Sequence, residues 1–207
     1  ESKMELPVIT FSALKYEPEL RKKDIEAWRT LYHREVLKRL SEEIDFGMLA
    51  GYMWIVSPEF CDKLFLLNLH PALPGGPKGT WQEVIWQLIS ARARETGIMI
   101  HRTTPELDEG PPLTFVRFSL QSEEFIPLWK NTEKILLKYH LNGLIKLEGE
   151  KNELFRKIRE EGVKRELPFI VWTLKYFAED KIRVDDPELP IDLTWEVERY
   201  LKIGKFE

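Results

Sequence analysis

One stretch constrains this chain more than any other. Between residues 64 and 102 an apolar strand, a Pro/Gly loop, an amphipathic helix and a second apolar strand follow one another directly. Leu64 to Leu69 is a short apolar run that reads as a strand, and its end spells Asn68-Leu69-His70-Pro71. Pro71 to Gly79 is rich in proline and glycine and must be a loop. Thr80 then caps a helix from Trp81 to about Arg94, with Val84, Ile85, Leu88 and Ile89 on one face. Gly97 to Arg102 is the next strand, followed by a polar turn that contains Asp108. Strand, crossover helix and strand are the unit of a parallel sheet, whose ligands sit beyond the carboxyl ends of the strands. Asn68, His70 and Asp108 fall there. An amide, an imidazole and a carboxylate brought to one sheet edge would make a proton-transfer site.

The rest of the chain continues the alternation. Leu6 to Ser12 is β-branched and aromatic and reads as a strand. Asp24 to Ile44 has helical spacing at Ile25, Trp28, Leu31, Tyr32, Val36, Leu37 and Leu40. Asp45 to Tyr52 has the pattern of a strand buried on both faces. Ser57 and Pro58 open a brief helical turn as cap and first position. Pro112 to Leu120 alternates as an edge or half-exposed strand does. Ser122 to Glu153 is helical with a break expected at Asn142-Gly143, and Leu154 to Ala178 is one or two helices with Pro168 marking a boundary or kink. Lys181 to Val184 is a last short strand, and Asp185 to Glu207 a weakly helical tail. The expected class is α/β, a mostly parallel twisted sheet of Rossmann-like type flanked by helices. Its expected divisions are a core over 1–120, a helical insertion over 121–153, a C-terminal helix and strand over 154–184, and a tail over 185–207.

Bulk properties narrow the function classes. A chain of 207 residues is long enough for one α/β domain or a domain with an appendage, and 43% apolar with 32% charged residues is the composition of a soluble globular protein. A net charge of -4 with interspersed signs lacks the basic footprint of a nucleic-acid binder. Cys61 is the only cysteine, which removes internal disulfides and cysteine-cluster metal sites. No apolar run approaches the ~18 residues of a membrane span, and no signal peptide opens the chain. The expected location is cytoplasmic. The chain opens Glu1-Ser2-Lys3-Met4, as a processed, trimmed or split product would.

Five segments together resemble the folate-dependent formyltransferases: Ala50-Gly-Tyr-Met-Trp-Ile-Val56, Leu67-Asn-Leu-His-Pro-Ala-Leu73, Lys78-Gly79, Thr96-Gly-Ile-Met-Ile-His101 and Glu106-Leu-Asp-Glu-Gly-Pro111. Arg29-Thr-Leu-Tyr-His-Arg-Glu35 is similar to that family's Arg-x-x-Tyr-x-Arg-Glu helix, and the likeness resumes from Pro168 to Val184. The nearest branch is the one that formylates glycinamide ribonucleotide in purine synthesis. The resemblance implies transfer of a formyl group from 10-formyltetrahydrofolate to an amine, with no metal. It implies that Asn68 holds the formyl oxygen as negative charge develops and that His70 is the general acid/base. Asp108 would favour the imidazolium electrostatically and help order a water. Met53, Trp54, Ile55 and Val56, with Thr104, Pro105, Glu106 and Leu107, would cradle the pterin, largely through backbone groups. Arg29 would stand near the glutamate tail of the folate. The implied partners are a small amine and folate, without nucleic acid or membrane, and a homodimer is left open.

Three departures bear on the acceptor. The family's opening strand and its Gly-Ser-rich phosphate loop at a helix N-terminus have no counterpart in this sequence. Met53-Trp54 stands where the family has Met-Arg. A Gln/Glu pair that holds the ribonucleotide falls near Gly162-Val163, leaving Glu161 or Glu166 as substitutes. The loop Pro74-Gly-Gly-Pro77 also lacks the Arg-Gly-Ala-Pro run of the tRNA and sugar formyltransferases. A 10-formyltetrahydrofolate hydrolase and a non-catalytic folate- or nucleotide-binding relative are the alternatives.

Plainer readings stand beside these. His70 could be a packed strand-end residue, Trp54 ordinary core, and His101 either structural or supporting. His33 and His140 read as surface residues, Cys61 as an inert buried thiol, and Trp81 and Trp86 as helix packing. The charged 121–160 region reads as a solvated helical insertion.

Overall fold

The computed structural model describes residues 7–40, 44–106, 108–183 and 190–206, which divide into two units. The first is Glu1–Leu67 with Thr103–Glu109; the second is Asn68–Arg102 with Gly110–Glu207.

In the first unit, α1 (Pro18–Lys23) leads into α2 (Ile25–Arg39). Asp24 divides them because its side chain accepts the Ala27 N–H at 2.9 Å and so caps α2. The helix ends before the expected Ile44. Its inward face carries Trp28, wholly buried, and Tyr32. Phe11 stacks on Tyr32 with ring centroids 5.0 Å apart, and Tyr32 stacks on Trp28 at 5.0 Å. Arg39 lies 4.3 Å from the Phe11 centroid and Arg21 lies 5.9 Å from that of Trp28, so a guanidinium stands at either end of the ladder.

That ladder corrects the strand expected over Leu6–Ser12. Residues 7–12 form no strand; Phe11 anchors them by its ring, while Val8 and Ile9 are 81% and 52% exposed. Strand propensity is expressed only where a sheet offers a surface to pack on. The run over Asp45–Tyr52 yields only β1 (Gly47–Leu49), half-buried instead of buried on both faces. Gly51, at φ 67°, then turns the backbone out of the extended region. α3 (Pro58–Lys63) starts at Ser57, although the Ser57 hydroxyl makes no capping bond. The Gly47 N–H donates to Phe65 O at 2.8 Å, beside the start of β2 (Leu66–His70). Val56, Phe60 and Leu66 form a buried cluster against which half-buried Cys61 packs.

β2 passes into the second unit after Leu67. There its last residues, β3 (Glu95–Arg102), β4 (Pro112–Ser119) and β5 (Ile191–Asp192) are hydrogen-bonded in that order. β3 and β4 are antiparallel, with Ile98 opposite Val116 and Met99 opposite Phe115. β4 and β5 are parallel. The α/β class holds, and the sheet is mixed, where the alternation suggested mostly parallel strands. The link from Arg102 to Pro112 is shorter than the dozen or so residues a parallel crossover needs. β4 is also less exposed than its alternation implies: Leu113, Thr114, Phe115, Val116 and Phe118 are buried, because β5 takes its outer edge and α6 and α7 pack on it.

α4 (Trp81–Ser90) buries Val84, Ile85, Leu88 and Ile89, the face expected of it. Its start is a capping box, in which Thr80 Oγ1 accepts the Glu83 N–H and Glu83 Oε2 accepts the Thr80 N–H at 2.7 Å. Thr80→Ala should cost about 1 kcal/mol in urea unfolding, and an unchanged midpoint would contradict that role.

α5 (Ile126–Leu147) bends at His140, φ 56°, just ahead of the expected Asn142-Gly143 break. Gly143 serves close approach instead, since a Cβ there would stand 2.5 Å from Tyr139 Cβ. After a short 3₁₀ turn (Gly149–Lys151), α6 (Glu153–Ala178) runs unbroken through Pro168. Asp180, at φ 54°, and the Lys181 N–H bond to Tyr176 O close it. Residues 181–183 are therefore not the expected strand, and Val184 lies outside the described residues. α7 (Thr194–Ile203) docks instead of trailing: Val197 is buried, and Arg165 of α6 donates to Glu198 Oε1 at 2.7 Å. The core of this unit joins α4 to Phe118, Leu136, Leu144, Leu154, Phe155 and Ile158. Among the described residues no helix is long and apolar enough to cross a membrane.

Candidate functional site

β2 carries polar side chains at its end because Asn68 and His70 alternate with Leu69, and the proline after His70 forbids further pairing. Period-two alternation puts Asn68 and His70 on the same face of the strand. His70 is 2% exposed, and its Nε2 donates to Pro77 O at 2.8 Å, a carbonyl of the Pro/Gly loop. Asn68 is half-buried, with its Nδ2 3.2 Å from Nε2 of His101 on β3. His101 is itself 2% exposed; its Nδ1 donates to Arg102 O at 2.9 Å, and its ring stands edge-on to that of His70 at 6.3 Å. The second unit thus brings together two of the three expected catalytic side chains and His101.

Asp108 belongs to the first unit, half-buried at φ 54° in the turn that leaves β3. Aspartate is among the few side chains that tolerate that region. In the same turn Thr104 Oγ1 donates to Glu106 O at 3.1 Å, the Thr103 N–H reaches Leu66 O at 2.7 Å, and Pro105 follows Thr104 half-buried. Leu107 lies outside the described residues.

The remaining expected folate contacts are also in the first unit, and their side chains differ in what they can offer. Met53 and Ile55 are 72% and 38% exposed, whereas Val56 is committed to the apolar cluster. Trp54 is half-buried, 4.9 Å from Trp28 and 5.8 Å from the Arg21 guanidinium, so its ring extends the aromatic ladder. Arg29 points its guanidinium at Glu26 through two 2.8 Å contacts. Among the described residues no group of three or more His, Cys, Asp or Glu could hold a metal ion.

His33 is the residue that sequence reading placed wrongly. It is not on the surface but 1% exposed, stacked on Phe60 at 4.7 Å. The signal was present, since it lies four residues after Arg29 and three before Val36 on the inward side of α2. Its Nδ1 accepts the Ser57 N–H at 3.0 Å, which leaves Nε2 to donate to Tyr52 Oη at 2.7 Å. Burial, with the Arg29 charge second, pulls its pKa from 6.5 down to about 4. A proton would also have to enter at Nδ1, where the Ser57 N–H already points. The unfolded chain therefore binds this proton below pH 6.5 and the folded chain only near pH 4. The associated stability is complete above pH 6.5 and is lost as pH falls from there towards 4, by roughly 3 kcal/mol. Urea unfolding at pH 7.5 and 4.5 checks this: His33→Leu should flatten the difference, and an equal difference in both proteins would contradict it.

Residues 7–124 match the family model for formyl transferase. The chain is 34% identical over 111 residues to phosphoribosylglycinamide formyltransferase of Dictyostelium discoideum, covering 48% of this chain and 52% of that one. It is 29% identical over 130 residues to the enzyme of the same name from Escherichia coli K12, covering 58% and 60%. Among solved structures it resembles phosphoribosylglycinamide formyltransferase from Bacillus halodurans, at 28% identity and a TM-score of 0.41 over 61% of this chain and 66% of that one. The chain spans about half the length of the curated relatives it matches.

Proposed function

We propose that this chain, which belongs to the formyl transferase family, moves a formyl group from 10-formyltetrahydrofolate onto an amine. The observation that supports this most is the buried end of β2, where Asn68 and His70 share a face and the Asn68 amide is held by His101. In the proposed step the amine nitrogen bonds to the formyl carbon, the bond from that carbon to the donor's N10 breaks, and one proton passes from the amine to N10. Asn68 donates an amide N–H to the formyl oxygen, which gains negative charge as the amine attacks. His70 carries the proton. Asp108, assigned from the spacing of its motif, favours the charged imidazole and orders a water. The segment Met53–Ile55 and the turn at Thr104–Glu106 offer backbone groups to the pterin, and Arg29 offers a cation to the folate tail.

The names of the relatives make glycinamide ribonucleotide the acceptor to try first. A cytoplasmic location and small-molecule partners accompany this reading, and sedimentation of the purified chain decides whether it forms a homodimer. The reading is tested by thermal unfolding with a folate donor analogue. A ligand that binds only the native state, at a hundred times its Kd, adds about 2.7 kcal/mol, which raises Tm by several degrees in a chain of this size. No shift at saturating folate would sink the proposal.

A further inference from the structure

The pair formed by Asn68 and His101 contains more than a contact. A carbonyl oxygen can only accept, so the 2.9 Å approach of His101 Nδ1 to Arg102 O requires the hydrogen to sit on Nδ1. In a neutral imidazole that leaves Nε2 with a lone pair. Asn68 Nδ2, 3.2 Å away, is then the donor of the second bond. With the ring neutral, the opposite amide orientation would set Oδ1 against that lone pair and break the bond. A doubly protonated ring could keep the contact only with the amide reversed, and it would place a positive charge where His101 is 2% exposed. One rotamer of the amide is therefore selected, in which one hydrogen of the NH₂ group is spent on His101 and the other is turned away from it.

The tautomer has its own cause. β3 and β4 lose register between Ile100 and His101, and the Arg102 N–H then bonds to Pro111 O at 3.0 Å. Gly110 passes so close behind that a Cβ there would lie 1.6 Å from Arg102 O and 3.3 Å from His101 Nδ1. Only a residue without a side chain leaves that carbonyl where His101 needs it.

We propose that His101 is a positioning residue that holds the Asn68 amide ready to donate, and that Gly110 sets it by fixing the Arg102 carbonyl. The catalytic consequence rests on the formyl-transfer reading; the tautomer does not. Two measurements test it. In protein labelled with ¹⁵N-histidine, the ring assigned to His101 by its loss in His101→Gln should show a protonated Nδ1 and a bare Nε2 at neutral pH. A proton on Nε2 overturns the proposal. In turnover, His101→Phe removes the acceptor and should lower kcat about 10–100-fold, up to what a displacement of about 1 Å of a reacting group costs, with KM for 10-formyltetrahydrofolate within twofold. His101→Gln, whose Oε1 can accept from the same amide, should recover most of the loss. Equal kcat in the Phe and Gln variants overturns the positioning role. Because the ring spectrum is read on the unsubstituted chain, a proton on Nε2 overturns the proposal even if His101→Phe misfolds. Failure of the unsubstituted chain to transfer formyl would count against the formyl-transfer reading and leave the tautomer result standing.

Discussion

Replacing His70 by alanine should lower the rate of formyl transfer by about 10²–10⁴-fold, the range that a positioned acid/base supplies. Asn68→Ala should lower kcat by about 10²–10³-fold, as loss of one donor to a developing oxyanion does. The two losses should not add in the double variant, because the groups act on one transition state. His70 is also tied to the loop, since its Nε2 donates to Pro77 O. Alanine leaves that carbonyl without this donor, at a cost of about 1–3 kcal/mol. The melting temperature should therefore fall modestly while folding persists, and circular dichroism separates that effect from the loss of chemistry. A His70→Ala protein that is folded and retains transfer would remove this histidine from the mechanism.

Trp28→Ala should be the most damaging single change to the first unit, at roughly 3–5 kcal/mol, the scale of a large aromatic truncated in a core. Trp28 is fully buried, stacks on Tyr32 at 5.0 Å and meets Trp54 at 4.9 Å. Its indole N–H donates to Tyr16 O at 2.8 Å, which holds the N-terminal segment down on α2. Alanine removes the centre of the ladder and leaves the carbonyl without that donor. Trp28→Phe keeps much of the apolar contact and loses the N–H, so it should cost clearly less. A loss below about 1 kcal/mol in Trp28→Ala would mean that the ladder is dispensable.

The contrast between these regions shows what local sequence can carry. β2, α4 and β3 were legible because each is signalled by its own residues: an apolar run, a capping threonine with a single apolar face, and another apolar run. Val8 and Ile9 misled because a strand needs a partner edge, and that is not a property of the segment itself. The same reason applies at the other end, where Ile191–Asp192 pairs with β4 and residues 181–183, expected in a last short strand, form none. The antiparallel course of β4 could have been inferred from the short link after Arg102. At the site, Asn68 and His70 were visible as a motif. For His101 the sequence left structural and supporting roles open, because its hydrogen bonds depend on an irregularity between two strands and on the backbone of Gly110.

The measurement that bears most directly on the function is consumption of 10-formyltetrahydrofolate by the purified chain, with glycinamide ribonucleotide supplied and withheld. A formylated amine should form only when the acceptor is present and only while His70 is intact. Consumption at the same rate without acceptor would make the protein a hydrolase, and no consumption in either arm would contradict formyl transfer.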